Sequence, residues 1–183
     1  MERHDQAVRA ELASVGSLFD GYHPRMEAVH RAHAERLRAI IQQFGWPTEA
    51  LVAADGAKAA WRIAQHSIGE PDFMRQCRKL LDEASSRGEI PRWQYAFIDD
   101  RIRVYEGRPQ RFGTQLCGGP GGLRPYPLED AAKVEDWRRE VGLPPLADIL
   151  ARARENPPPT NPDQKAKDAK EYAWRREVGW LRD

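Results

Sequence analysis

Glycine and proline divide the first part of this chain into pieces about one helix long. Gly45-Trp46-Pro47, Gly69-Glu70-Pro71, Gly88 with Pro91, and Gly107-Arg108-Pro109 recur at intervals of roughly twenty residues, about five helical turns. The segments between them carry helical periodicity. From Met26 to Phe44 the apolar residues Met26, Val29, Leu37, Ile40, Ile41 and Phe44 fall three and four apart, on one stripe. Phe73, Cys77, Leu80, Leu81 and Ala84 mark a second such helix ending near Gly88, and Trp93, Phe97 and Val104 a third running from Pro91 to about Glu106. Between them, Asp55 to Ser67 is small or apolar almost all round, which predicts a helix buried on most sides. Residues 2–15 predict a short helix of mixed polarity closed by Gly16, and Asp20-Gly21-Tyr22-His23-Pro24 a turn opening the next one.

The character changes at Gly107. Residues 111–128 hold few helix formers, a Gly118-Gly119-Pro120-Gly121-Gly122 cluster and two further prolines, so they predict an irregular β-hairpin or ordered loop. Helices resume near 131–141 and 146–155, and Asn156-Pro157-Pro158-Pro159-Thr160-Asn161-Pro162 reads as a stiff linker to a last helix over 163–178. The expectation is a mainly α fold, a compact helical bundle with a short irregular β-hairpin or loop near 111–128. Residues 1–155 would form a single helical domain, with 156–183 a linker and helix packed on the body or on a partner. Trp137-Arg138-Arg139-Glu140-Val141-Gly142 returns as Trp174-Arg175-Arg176-Glu177-Val178-Gly179. Two copies are too few for a solenoid, so each Trp is expected to anchor a helix end while its arginines stay solvated.

Composition narrows the function classes. Among 183 residues, 29 Lys and Arg face 28 Asp and Glu, a formal charge of +1 that gives no global field for nucleic acid. No apolar run approaches the ~20 residues of a membrane span, and the N-terminus has no signal-type apolar core. Cys77 and Cys117 make neither a disulfide framework nor a metal spacing. A cytoplasmic protein without membrane or nucleic-acid partners and without a cofactor is expected.

Several polar residues fall where core is expected. On the Pro91–Glu106 helix, Asp100 lies within the apolar stripe, Arg101 flanks it, and Asp99 and Arg103 share the opposite face as an ordinary solvated pair. Asp100 is either a buried structural carboxylate, satisfied by an arginine or by helix N-terminal amides, or an active-site group. Gln65 and His66 end the most buried helix, and His66 is the best available general base. Gln110, Arg111, Thr114 and Gln115 can bind amide or carboxylate edges or satisfy an irregular turn. Glu27 and His30 have ExxH spacing, but no second such element exists for a di-iron centre; a mononuclear set of Glu27, His30 and His66 is the metal alternative.

In order along the chain, Tyr22-His23-Pro24, Gly45-Trp46-Pro47, Ala60-Trp61 with Gln65-His66, Asp100-Arg101, Gly107-Arg108-Pro109-Gln110 with Gly113-Thr114-Gln115, and Gly142-Leu143-Pro144-Pro145 resemble a bacterial family, frequent in actinobacteria, catalogued only as a domain of unknown function. The resemblance spans about residues 20–150. The chain departs from it at Phe112, where tyrosine is expected, and at Met74-Arg75-Gln76, where glutamine directly follows Phe73 in the pattern. It implies a bacterial cytosolic protein and no known reaction.

Three readings stand. The first is a small metal-independent enzyme acting by acid–base chemistry on a polar metabolite or peptide-derived substrate, as hydrolase, lyase, isomerase or cyclase. His66, Asp100 and Arg101 would be catalytic, and Gln65, Gln110, Arg111, Thr114 and Gln115 would bind substrate. The second is a non-catalytic protein- or ligand-binding accessory or immunity factor, and the third a mononuclear metalloenzyme.

Overall fold

The structure is a computed structural model describing residues 2–14, 22–118, 122–155 and 164–181. Gly16, the Asp20-Gly21 turn, most of the glycine cluster and the Asn156–Pro162 linker lie outside the described residues. The described chain is mainly helical: α1 (Glu2–Ser14), α2 (Pro24–Phe44), α3 (Glu49–His66), α4 (Pro71–Ser86), α5 (Arg92–Tyr105), α6 (Val134–Glu140), α7 (Leu146–Glu155) and α8 (Gln164–Glu177). Strands β1 (Leu116–Cys117) and β2 (Arg124–Pro125) pair antiparallel, Leu116 opposite Pro125 and Cys117 opposite Arg124, as the short hairpin expected near 111–128. None of the described helices is long and apolar enough to cross a membrane.

The chain divides into two compact units, residues 1–80 with 161–183, and residues 81–160. In the first, α2 packs on both α1 and α3. His23 opens α2 as its N-cap, its Nδ1 accepting the Arg25 amide, and Pro24 occupies the first turn, where its missing N–H costs nothing. The buried stripe of α2 runs Met26, His30, His33, Ala34, Leu37 and Ile41. Val8 and Leu12 of α1 close on Met26, with Tyr22 and Val29 against them. Trp180 belongs to this unit too: its indole N–H donates to the Ile68 carbonyl at 2.7 Å and the Arg75 guanidinium covers its ring.

In the second unit Ala96, Phe112 and Val141 form a core cluster with Tyr95, Trp137 and Leu143 packed on it. The first tryptophan–arginine copy behaves differently here from the solvated pattern expected. Arg138 is buried, donating to the carbonyls of Pro144 and Phe112 at 2.7 and 2.6 Å. Its five N–H donors make it a bracket for two loops. Asp99 likewise is buried rather than solvated: Arg103 folds over it at 2.8 Å and also reaches Glu129. Helical spacing found the pair but not the cover that its long side chain provides.

Helix α3 begins earlier than its apolar pattern, after Thr48, and is kinked. Val52 and Ala53 leave helical geometry, and Ala53 has φ 58° and ψ 170°, a region essentially reserved for glycine. Residues 49–55 are exposed, so burial begins only at the Ala60–Gln65 end. Replacing Ala53 by Gly releases strain of about 1–3 kcal/mol against about 1 kcal/mol of added chain entropy. Ala53→Gly is therefore expected to stabilise the fold by about 1 kcal/mol in urea unfolding; a destabilised variant contradicts the strain.

Both cysteines are free. Burial pushes the Cys77 thiol up to about 12, with Arg38 opposing weakly, whereas Cys117 is half-buried in β1. Because the thiolate is the reactive species, an aromatic disulfide reagent at pH 8 is expected to modify Cys117 in the native protein and Cys77 only on unfolding. Equal native rates for the two thiols contradict this packing.

Candidate functional site

Two buried carboxylates dominate the two units, and their partners differ in kind. In the second unit, Asp100 is fully buried on α5. Its Oδ1 accepts the backbone N–H of Arg111 at 2.7 Å and of Phe112 at 3.0 Å. Oδ2 accepts the Phe112 amide at 3.2 Å, the Thr114 amide at 2.9 Å and the Thr114 hydroxyl at 3.0 Å. Burial is the largest influence on this carboxyl and pushes it above its ordinary value, while those amides and the hydroxyl pull it back.

The other polar residues singled out after Gly107 complete the same clamp. Gln110 donates to the carbonyls of Gln115 and Tyr126 and accepts the Gln115 amide. Gln115 in turn accepts from Arg101 at 3.1 Å and donates to the Thr114 hydroxyl. The Arg111 guanidinium stacks over Trp137, 4.6 Å from the ring centre. Gly113 sits at φ +64°, where a Cβ would press on Leu146. The structure thus brings Asp100, Arg101, Gln110, Arg111, Thr114 and Gln115 together, with their polar atoms largely spent on one another and on the loop backbone.

His66 and Gln65 belong to the first unit. Gln65 is buried on α3, and His66 ends that helix with about a quarter of its side chain exposed. The carboxylate that meets His66 is Asp5 of α1, with Oδ2 3.5 Å from His66 Nδ1. Asp5 Oδ1 lies 2.7 Å from His30 Nε2, and His30 Nδ1 lies 2.7 Å from the Tyr22 hydroxyl. The two imidazole rings stand 5.1 Å apart. Burial alone would raise Asp5, but the His30 hydrogen bond and the close approach of His66 outweigh it and hold the carboxyl well below the usual range. Asp5 is therefore an anion inside the helical packing.

A small pocket opens on this group, lined by Asp5, His30, His33, Ala59, Arg62, Ile63 and His66, with about 10 Å³ of water-accessible volume. Helical spacing explains the lining. Ala59, Arg62, Ile63 and His66 lie three and four apart on one face of α3, and His30 and His33 on one face of α2. Glu27, the carboxylate of the metal alternative, instead binds Arg31 at 2.7 Å, and Asp5 stands in the carboxylate position beside His30 and His66. Asp5 and Arg62 were not singled out from the sequence. Asp5, Val8 and Leu12 share one stripe of α1, so the spacing that flagged Asp100 also marks Asp5.

The Asp100 clamp has a direct test. Either orientation of an asparagine amide would set its NH2 against two or more N–H or O–H donors. Asp100→Asn is expected to destabilise the fold by about 3 kcal/mol in urea unfolding. A loss under about 1 kcal/mol would show that the loop does not need the charge.

Comparison with known proteins identifies the chain over residues 1–156 as a member of DUF6624, a family of unknown function. No curated protein and no solved structure matches it.

Proposed function

We propose that this member of the DUF6624 family is an enzyme acting by acid–base chemistry on a small polar metabolite with an anionic group, and that Asp5, His30 and His66 form its reaction centre. One observation carries the reading: a buried carboxylate and two imidazoles from three helices converge at the wall of a pocket that also holds an arginine. Titratable groups from separate elements meeting in a concave site are what proton transfer or polarisation at a substrate requires.

The anionic group follows from the lining. Arg62 and His33 line the pocket beside Asp5 and the two imidazoles, so its wall carries a guanidinium. Arg62 lies one turn before His66 on the same face of α3, so an anion held there sits next to the reaction centre. Arg62 and Asp5 stand beside His66 where the sequence alone suggested Arg101 and Asp100. The reaction class within hydrolases, lyases, isomerases and cyclases follows from the substrate.

Histidine side-chain NMR signals, followed while small mono- and dicarboxylates and inorganic phosphate are added, test the reading without a known reaction. At least one of these anions is expected to shift the His66 and His33 signals, and Arg62→Gln to weaken that binding about tenfold or more. Shifts confined to other histidines, or affinity unchanged in Arg62→Gln, contradict it.

A further inference from the structure

We infer that Asp5, His30 and His66 bind one divalent first-row transition-metal ion of the zinc or ferrous class. The inference rests on placing the reaction centre here and adds the cofactor that would work in it. Each residue offers one ligand atom, and the three atoms lie within 4.8 Å of one another. Two imidazole nitrogens and one carboxylate oxygen form a donor set that such ions favour, and three protein ligands leave positions open for water or substrate. The open side here is the pocket holding His33 and Arg62.

Three further observations support a metal centre over a purely structural ion pair. The ligands come one each from α1, α2 and α3, so the site is fixed by the packing of three helices rather than by one flexible segment. Asp5 Oδ2 is buried and accepts no hydrogen bond. Its 3.5 Å separation from His66 Nδ1 is near the about 3.0–3.4 Å that separates two ligands bound about 2.1 Å from one ion. The third is outside the ligand set: the Tyr22 hydroxyl engages His30 Nδ1 and leaves Nε2 as the atom turned to Asp5. A metal-ligating histidine needs such a partner on its other nitrogen to fix tautomer and ring orientation. Ion binding replaces the proton between His30 Nε2 and Asp5 Oδ1, and that 2.7 Å contact lengthens by a few tenths of an ångström.

Charge links the ion to the pocket. Two neutral imidazoles and one carboxylate leave a divalent ion with one net positive charge, facing the side where Arg62 and His33 lie. Such a site takes an anion that bridges ion and guanidinium, the ligand class already argued from the lining.

The test is titration of the chelator-treated, full-length protein with Zn²⁺ by calorimetry and with Co²⁺ by visible absorption. One ion per chain is expected, with micromolar or tighter affinity. His66→Ala is expected to lose about 100-fold or more while retaining native circular dichroism, and Tyr22→Phe to lose about tenfold. Glu27→Gln, which leaves the ligands intact, is expected to stay within about threefold of the parent. Absence of saturable binding, or binding that survives His66→Ala or fails equally in Glu27→Gln, overturns the inference. Its failure is distinguishable from failure of the site itself, because anion-induced shifts at His66 in metal-free protein are read independently.

Discussion

The Asp5 carboxylate is the constraint on which the first unit turns. A carboxylate taken out of water costs several kcal/mol unless its oxygens are matched, and Asp5 is about 4% exposed. His30 and His66 supply the match from α2 and α3. The apolar contacts of Val8 and Leu12 with Met26 hold α1 against α2, but apolar packing is non-directional. The carboxylate between the imidazoles sets where along α2 and α3 the short, mixed-polarity α1 comes to rest.

Asp5 and Asp100 show how similar burial can serve opposite ends. Asp100 is surrounded chiefly by backbone amides that close a loop and cannot be exchanged without unfolding it. Asp5 faces side chains, one of them partly exposed and all adjoining a pocket. Imidazoles can trade a proton for an ion or a substrate contact while the helices stay in place. That difference in partners, rather than burial or charge alone, makes one carboxylate an architectural post and the other a candidate for chemistry.

Local pattern made much of the fold legible. Glycine and proline placed most helix ends within a few residues, the start of α3 excepted, and the apolar stripe of α5 exposed Asp100 as an anomaly, with loop amides supplying what was expected of an arginine or a helix terminus. The hairpin was readable from two prolines and a glycine cluster. The carboxylate of the site was harder because its partners are distant: Asp5 meets His30 and His66 across 25 and 61 residues. Glu27, by contrast, shares a helix with His30 at a familiar spacing, yet its neighbour Arg31, four residues on, engages it. Burial of Asp99 and Arg138 was hidden for a related reason. Arginine length lets a nominally outward position be roofed over or turned inward, which helical spacing does not encode.

The most direct measurement of the central claim is X-ray absorption at the zinc edge of protein loaded with one equivalent of the ion. The account predicts a first shell of nitrogen and oxygen only, at about 2.0–2.1 Å, with the outer-shell scattering of two imidazoles. A sulfur scatterer near about 2.3 Å, or fewer than two imidazoles, would place the ion elsewhere and contradict the assignment of Asp5, His30 and His66.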